Sequence, residues 1–337
     1  MSVGLDIGSR TIKVVELGRD GSRFRLKAAG AVGVNSPSID KITDEKDLAN
    51  LAMVIKKLFH DTKISSKDVS ISLPETAVFT RTLRFPMLTD QEVASAVRWE
   101  AEEYIPIPIK EAVVQHQIIE RRENGNPPQV VVLLVAAPRT LVEKYTSMLT
   151  IAGLNCVFVE TSLLSCVRSL APANQTVMIL DIGASATNLA IAKNEQLMFS
   201  RSIQTAGEAM TRAVGQYLGV SPTQAEEYKR TYGFSIKQLE GKVGASLEPL
   251  VRVTSEEIKK VIHYYQVEEK GETPTSVILT GGSAGLIGIA TQLTKYLGVE
   301  ILTGDPFSKV VVDPTAAQSL ANFAPLYGVS VGLAMRS

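Results

Sequence analysis

Val3-Gly4-Leu5-Asp6-Ile7-Gly8-Ser9 opens the chain, and Met178-Ile179-Leu180-Asp181-Ile182-Gly183-Ala184-Ser185 repeats its pattern in the second half. In each copy an apolar run delivers an aspartate into a turn whose glycine lets backbone amides approach a ligand closely. Alternating segments follow at 10–17 and 186–193, so both copies are predicted to form β-hairpins. Two such hairpins predict a site that holds a polyphosphate from both sides.

The size and composition of the chain are those of an ordinary globular protein with about two domains. It has 337 residues, of which 45% are hydrophobic and 21% charged, and its formal net charge is +0. The balanced charge argues against a nucleic-acid partner. Cys156 and Cys166 show no zinc-ligand spacing, so we expect reduced, buried thiols and no metal cage built from side chains alone. A strand begins at the amino terminus without a preceding leader, which predicts a cytosolic protein.

One segment requires a test for membrane insertion. Residues 314–335 carry no charged side chain and are long enough to span a bilayer. The same segment contains Gln318, Asn322, Pro325 and Gly328, which lower its mean hydropathy. A buried terminal helix is therefore favoured over a membrane span.

Strand and helix patterns divide the chain into five parts. These are the start of a first lobe (1–74), an inserted α+β unit (75–159), a helix with a linker (160–176), a second lobe (177–314) and a terminal helix (315–337). The second lobe repeats the strand, hairpin and helix order of the first. This duplication predicts two related lobes around a cleft.

Asp6 and Asp181 are the strongest candidates for ligand chemistry. Each stands at the end of an apolar strand, where an uncompensated negative charge is costly. A hydrated Mg²⁺ on nucleotide phosphates suits them, because magnesium keeps several waters and accepts one or two carboxylates, directly or through water. The alternative is that each aspartate only closes its own turn. Two copies in matched settings favour magnesium.

Further polar groups surround the two turns and two other segments. Amides and hydroxyls near the turns suit oxyanions, and these candidates are Gly8, Ser9, Thr11, Lys13, Gly183, Ala184 and Ser185. Lys13 alternates with apolar neighbours, so it either faces solvent or contacts phosphate. A glycine-rich turn that opens a helix suits a ribose or base lying on backbone, and its candidates are Gly281, Gly282, Ser283 and Leu286. Glu226 and Lys229 either reach the ribose and base or form an exposed pair within one helix.

In this order the segments resemble those of the superfamily that contains actin, the sugar kinases and the heat-shock chaperone ATPases. The resemblance implies an α/β, actin-like ATPase fold of two lobes with duplicated RNase H-like cores, which binds ATP or ADP with Mg²⁺. It implies that the two Asp-Ile-Gly turns are phosphate loops and that 278–283 is the adenosine loop. It also implies two connecting helices, at 160–170 and 315–335, and a helix beside the nucleotide that begins at Gly207.

The sequence of the inserted unit resembles one family within this superfamily. Leu83-Arg-Phe-Pro-Met-Leu-Thr-Asp-Gln-Glu92, followed by Ala96-Val-Arg-Trp-Glu-Ala-Glu-Glu-Tyr-Ile-Pro106, is similar to the PilM family of FtsA-like type IV pilus assembly proteins. This likeness implies an FtsA-type, 1C-like insert and an ATP-binding scaffold that recruits the amino-terminal cytoplasmic peptide of PilN into a groove between the insert and the first lobe. It further implies contact with other assembly components, including the assembly ATPase, and a peripheral position at the inner face of the cytoplasmic membrane.

Two side chains leave alternatives open. Trp99 lies off the main apolar face of its predicted helix, where it either contacts a partner or fills the junction with the first lobe. Glu160 is the only obvious group that could orient an attacking water, and it could equally be a charge at a helix amino terminus. We therefore expect nucleotide binding with slow turnover.

Two other functions remain in competition with a scaffold. A small-molecule kinase of the same superfamily requires an aspartate base in the cleft, and none is evident beyond Asp6 and Asp181. A filament former like FtsA would self-associate head to tail.

Overall fold

The computed structural model describes residues 1–34, 38–125 and 127–336. Its strands are β1 (Ser2–Ile7), β2 (Thr11–Asp20), β3 (Arg23–Gly33), β4 (Asp68–Leu73), β5 (Phe79–Pro86), β6 (Ala112–Arg122), β7 (Gln129–Pro138), β8 (Asn155–Thr161), β9 (Thr176–Ile182), β10 (Thr187–Lys193), β11 (Gln196–Ile203), β12 (Ser276–Thr280), β13 (Glu300–Thr303) and β14 (Val310–Val311). Its α-helices are α1 (Glu45–Asp61), α2 (Asp90–Tyr104), α3 (Arg139–Ala152), α4 (Ser162–Leu170), α5 (Gly207–Leu218), α6 (Pro222–Tyr232), α7 (Lys242–Val267), α8 (Ile289–Leu297), α9 (Pro314–Leu320) and α10 (Gly328–Ala334).

Two sheets of matching topology form the cores of the two lobes. The first has the order β14-β3-β2-β1-β4-β8 and the second the order β11-β10-β9-β12-β13. Each sheet contains an antiparallel three-strand meander. Two parallel strands extend the sheet on the other side of the first strand of that meander. The duplication predicted from the two Asp-Ile-Gly hairpins is confirmed, because the hairpins β1-β2 and β9-β10 occupy equivalent places.

The first sheet is buried on both faces, which explains the apolar runs of β1 and β2. On one face, Leu5 and Ile12 pack with Ile55 of α1 and Met148 of α3. On the other face, side chains of β2 pack against α10. Burial on both faces removes most of the apolar surface from water, and each Å² of buried apolar surface stabilises the fold by roughly 25 cal/mol. The first lobe is therefore a sheet between two helical layers.

The insert contains the third sheet, with the order β5-β7-β6. Alternate residues of β7 face opposite sides: Val130 and Val132 pack under α2, whereas Val131 belongs to the core of the second lobe. The Thr82 hydroxyl also donates to the Met198 carbonyl of β11 at 2.6 Å. The insert is thus held between its own helix and the second lobe.

The carboxyl-terminal boundary of the insert differs from the prediction of 75–159. Helix α3 packs on α1, and β8 pairs in parallel with β4, so both belong to the first lobe. The insert consists of β5, α2, β6 and β7 and ends at Pro138. Helical and strand periodicity are local, so they identified α3 and β8 without showing which sheet they join. Helix α2 starts with a capping box, in which Thr89 and Glu92 satisfy each other's backbone amides.

The uncharged segment near the chain end forms two helices instead of the single predicted one. Residues 321–327 separate α9 from α10 and include Pro325, which cannot donate an intrahelical hydrogen bond. Helix α10 is buried between the first sheet and α4, and a Cβ atom at Gly332 would lie 1.9 Å from the Ser165 carbonyl oxygen. Among the described residues, no helix is both long enough and apolar enough to cross a membrane.

Candidate functional site

The two predicted phosphate loops have the same backbone geometry. In the first, the Gly8 amide donates to the Thr11 carbonyl at 3.1 Å, and in the second the Gly183 amide donates to the Ala186 carbonyl at 3.1 Å. A Cβ atom at either glycine would lie 2.9 Å from that same carbonyl oxygen. Glycine is required at both positions because the turn closes on itself.

The loops face each other across the cleft between the lobes. The hydroxyl oxygens of Ser9 and Ser185 lie 3.5 Å apart. Beside them, Arg10 of the first lobe forms an ion pair with Glu208 of the second, with an Nε to Oε1 distance of 2.7 Å. The structure therefore brings the two halves of the predicted polyphosphate site together.

Asp6 has a cationic partner within its own hairpin. The Lys13 ammonium donates to Asp6 Oδ2 at 2.9 Å, and these residues are only 8% and 9% exposed. Lys13 is opposite Asp6 in the register of β1 and β2, which places both side chains on one face. The alternative that Lys13 faces solvent is wrong, and its contact with phosphate stays a prediction.

Asp181 lacks such a partner in its hairpin. The residue opposite it is Asn188, and burial together with the charge of Asp6 raises the pKa of Asp181 to about 6. Lys13 opposes that shift only in part. Two neighbouring carboxylates with one lysine leave an excess of negative charge, and carboxylate oxygens are the donors that magnesium prefers.

The described residues contain no group of three or more His, Cys, Asp or Glu side chains that could hold a metal. A magnesium ion at this site would therefore depend on phosphate and water oxygens in addition to Asp6 and Asp181, as predicted for a hydrated ion.

The glycine-rich turn after β12 packs directly on Asp181. Gly281 has a φ of +87°, and a Cβ atom there would lie 2.2 Å from Asp181 Oδ1. Its amide donates to the Pro325 carbonyl at 2.9 Å, so the break between α9 and α10 anchors the turn. The Ser283 amide donates to the Ile182 carbonyl at 3.0 Å. Gly282 has only an ordinary contact with Leu326.

Leu286 has a different role from the predicted nucleotide contact. It is 6% exposed and lies in the core of the second lobe, so its side chain supports the turn from below. The helix that follows the glycine-rich turn begins only at Ile289, because Gly288 adopts a left-handed conformation with φ +79°. An apolar residue after a glycine-rich turn can either pack in the core or begin the next helix. The periodicity of the sequence does not distinguish these two possibilities.

Gly207 is the point where the second phosphate loop, the adenosine turn and α5 meet. The Gly207 amide donates to the Gly183 carbonyl at 3.0 Å, and the next amide in α5 donates to the Ala184 carbonyl at 2.8 Å. A Cβ atom at Gly207 would lie 2.9 Å from Ser283 Oγ. These contacts direct the amino terminus of α5 toward the site, where its dipole favours negative charge.

Glu226 and Lys229 form part of this network and are not an exposed pair. The buried Lys229 ammonium donates to the Gly207 carbonyl at 3.0 Å, to Thr211 Oγ1 at 2.8 Å and to Glu226 Oε2 at 2.7 Å. Burial lowers the pKa of Lys229. Burial opposes the ionisation of Glu226, yet hydrogen bonds from Lys229 and Thr211 lower its pKa to about 2. Lys229 thus ties α6 to the start of α5.

Glu160 is placed in β8 and not in the connecting helix, which begins at Ser162. Its Oε1 accepts from Ser165 Oγ and Arg168 at 2.6 Å, and its Oε2 accepts from Arg168 and Arg336 at 2.7 Å. Burial opposes its ionisation, but the hydrogen bonds and charge of Arg168 hold the pKa of Glu160 below its usual range. Both oxygens are therefore engaged in joining β8, α4 and the chain end.

The sequence analysis missed Glu75. This residue follows β4, is 7% exposed, and accepts a 2.8 Å hydrogen bond from the Leu163 amide in the first turn of α4. Burial raises the pKa of Glu75, and Asp181 contributes to that rise. Its partner lies 88 residues away in the sequence, so no local signal identified it.

We predict that Asp181→Asn stabilises the nucleotide-free protein at pH 8. In wild type the folded-state pKa of about 6 exceeds the ordinary value of 3.8, so stability falls as pH rises through this window. The substitution removes that penalty, which is at most about 3 kcal/mol. The gain in melting temperature should shrink at pH 5, where wild-type Asp181 is largely protonated.

Glu226→Gln is the matched control, because the pKa of Glu226 is lowered and its charge is favourable. It should lower the melting temperature at pH 8. Equal melting-temperature changes for Asp181→Asn at both pH values would contradict the prediction.

Comparison with known proteins agrees with this geometry. The profile of the family described as type IV pilus assembly protein PilM matches residues 4–337. The structure is similar to a solved PilM-PilN type IV pilus biogenesis complex, with a TM-score of 0.85, 28% identity and coverage of 99% of this chain and 98% of that one. MreB 5 of Spiroplasma citri bound to AMPPNP has a TM-score of 0.54 and 14% identity over 98% of this chain and 93% of its own, which shows the shared actin-like fold.

Curated relatives point the same way. The cell division protein FtsA of Streptococcus pneumoniae is 25% identical, over 95% of this chain and 79% of its own length. FtsA of Enterococcus hirae is 24% identical, over 89% of this chain and 77% of its length. The FtsA-like architecture inferred from the insert agrees with these relatives, and the PilM family profile covers residues 4–337. The chain has the actin-like ATPase fold and belongs to the type IV pilus assembly protein PilM family.

Proposed function

We propose that the chain is an ATP-binding scaffold of the type IV pilus inner-membrane assembly complex. It binds ATP or ADP with Mg²⁺ in the cleft and recruits the amino-terminal cytoplasmic peptide of PilN, which holds it at the inner face of the cytoplasmic membrane. The convergence of the two matched turns, Gly207 and Gly281 around Asp6, Lys13 and Asp181 carries this proposal. The likeness to the PilM-PilN complex supports the choice of partner.

Each group of residues has a distinct part in holding the nucleotide. Turn amides, the Ser9 and Ser185 hydroxyls and Lys13 suit the phosphates, because amides and ammonium groups donate to oxyanions. Magnesium, held by Asp6 and Asp181, would supply the positive charge that this pair of carboxylates lacks. The segment 281–283 suits the adenosine, which would lie against its backbone. Glu226 is partly exposed and suits a ribose hydroxyl, whereas Lys229 already donates to three protein groups and holds the start of α5 in place.

Nucleotide binding is tested by Gly281→Ala. The added Cβ would displace the Asp181 carboxylate, since only 2.2 Å separates the two atoms. ATP with Mg²⁺ should stabilise wild type by about 2.7 kcal/mol at 100 times Kd, and this stabilisation should be lost in the variant. Differential scanning calorimetry with and without ATP measures it.

Gly298→Ala controls for backbone strain in that experiment. Gly298 also has a left-handed conformation, with φ +70°, but a Cβ atom there meets nothing within 4 Å. It should retain the full response to ATP. Equal ATP stabilisation of both variants would place the nucleotide elsewhere.

The position of Glu160 supports the proposal of slow turnover. Both carboxylate oxygens serve Ser165, Arg168 and Arg336, so Glu160 is a structural anchor in this proposal and does not orient water. We predict that Glu160→Gln releases phosphate from ATP as slowly as wild type while melting at a lower temperature, because two guanidinium groups lose their counter-charge. If Glu160→Gln released phosphate much more slowly than wild type and melted at the same temperature, Glu160 would have a catalytic role.

Peptide recruitment is assigned to the insert and its junction with the first lobe. Trp99 is 76% exposed on α2, so it does not fill that junction. An exposed tryptophan is a common anchor in protein interfaces. We predict that Trp99→Ala weakens binding of the PilN cytoplasmic peptide at least tenfold in isothermal titration calorimetry, a loss of about 1.4 kcal/mol.

Tyr217→Ala is the control, since Tyr217 is 59% exposed on α5 of the second lobe. It should leave the peptide affinity unchanged. Asp6→Ala should no longer bind nucleotide, so its affinity for the PilN peptide shows whether peptide binding requires nucleotide. No binding of the peptide to wild type, with or without ATP, would overturn the proposed partner.

A further inference from the structure

The side chain of Arg10 crosses the cleft between the two lobes. Arg10 lies in the turn that the Gly8 amide closes on the Thr11 carbonyl, and its own carbonyl accepts from the Val34 amide at 2.9 Å. From this backbone the guanidinium reaches Glu208 in the first turn of α5, with an Nε to Oε1 distance of 2.7 Å. Arg10 is therefore anchored in the first lobe and paired with the second.

The pair of Arg10 and Glu208 lies beside both phosphate loops. In the first loop Arg10 directly follows Ser9, whose hydroxyl oxygen is 3.5 Å from that of Ser185 in the second loop. In the second lobe the Glu208 amide donates to the Ala184 carbonyl at 2.8 Å. The guanidinium is thus held where the two loops and the amino terminus of α5 meet, and a helix amino terminus favours an anion.

Arg10 differs in exposure from the two lysines of the site. Lys13 is 8% exposed and donates to Asp6, and Lys229 is 4% exposed and donates to three protein groups. The Arg10 side chain is 53% exposed. Its contact with Glu208 engages Nε, and among the described residues its two terminal amino groups have no hydrogen-bond partner. Arg10 can therefore donate to a ligand without breaking a buried contact.

A phosphate group can replace Glu208 as the partner of Arg10. The Glu208 side chain is 37% exposed, and ion pairs between exposed side chains contribute little to stability. A terminal phosphate carries more negative charge than a carboxylate. The planar guanidinium also donates two parallel hydrogen bonds to phosphate oxygens. A polyphosphate between the loops therefore competes favourably with Glu208 for this guanidinium.

We propose that Arg10 is a further phosphate ligand of the cleft, which Glu208 holds in place until a nucleotide binds. This inference rests on the proposed nucleotide binding. When the nucleotide binds, the guanidinium moves from the Glu208 carboxylate to phosphate oxygens. Arg10 thus selects for the polyphosphate, whereas the segment 281–283 suits the adenosine.

Arg10→Gln and Glu208→Gln distinguish a phosphate ligand from a contact that only joins the lobes. Both substitutions break the same ion pair, but only the first removes donors to phosphate. In isothermal titration calorimetry, Arg10→Gln should bind ATP with Mg²⁺ about tenfold more weakly than wild type. Glu208→Gln should bind it at least as tightly as wild type, because a negative charge beside the phosphates is lost. Tripolyphosphate with Mg²⁺, which lacks the adenosine, should give the same order of affinities.

Arg25→Gln is the matched control, because Arg25 forms an exposed ion pair with Asp20 within the first lobe. Its affinity for ATP should equal that of wild type. Arg10→Lys keeps the positive charge but not the planar fork, so it should recover part of the affinity that Arg10→Gln loses. It provides the test if Arg10→Gln melts early without ligand.

Two results would overturn the proposal while wild type still binds ATP. One is an equal loss of affinity in Arg10→Gln and Glu208→Gln, which would make the pair only a contact between the lobes. The other is unchanged binding of ATP by Arg10→Gln. The absence of ATP binding to wild type would overturn the proposed nucleotide function, and this inference with it.

Discussion

The close crossing of α4 and α10 is the contact on which the arrangement of the two lobes depends. Helix α4 leads from the first lobe to the second, and α10 returns, so the two lobes meet along this pair. A Cβ atom at Gly332 would lie 1.9 Å from the Ser165 carbonyl oxygen, and one at Gly4 would lie 2.0 Å from the Ser330 carbonyl oxygen. Only glycine permits backbone to pack this closely. The absence of charge in α10 follows from that burial.

Buried charges secure this crossing and also give the cleft an excess of negative charge. Around Glu160, two guanidinium groups surround one carboxylate, so the group holds β8, α4 and the chain end together. In the cleft the balance is reversed, since Asp6 and Asp181 share Lys13. Replacing one member of a buried ion pair typically costs several kcal/mol. The same chemistry therefore stabilises one end of α4 and leaves, in the proposed nucleotide site, negative charge that a bound cation would balance.

Local patterns in the sequence were sufficient for features that local chemistry determines. The paired Asp-Ile-Gly hairpins depend on residues within a few positions, and the resemblance to the PilM family came from the insert. Features that depend on residues far apart in the sequence could not be predicted from local patterns. Glu75 bonds an amide 88 residues away, and β8 joined the first sheet although its sequence follows the insert directly. Val157 and Phe158, which are both exposed, lie at a bulge that appears only when β4 and β8 align.

The position of the insert would couple the proposed nucleotide site to the proposed partner surface around α2. Its chain enters and leaves through the first lobe, yet Val131 lies in the core of the second lobe and Arg84 pairs with Glu269 at the end of α7. Glu75 adds a third link, between the insert and α4. It lies just before β5, the first strand of the insert, and it accepts a hydrogen bond from an amide in the first turn of α4. A packed core does not deform continuously. Any change in the angle between the lobes must then shift the insert against one of them, so a ligand that fixes the angle also fixes the surface around α2.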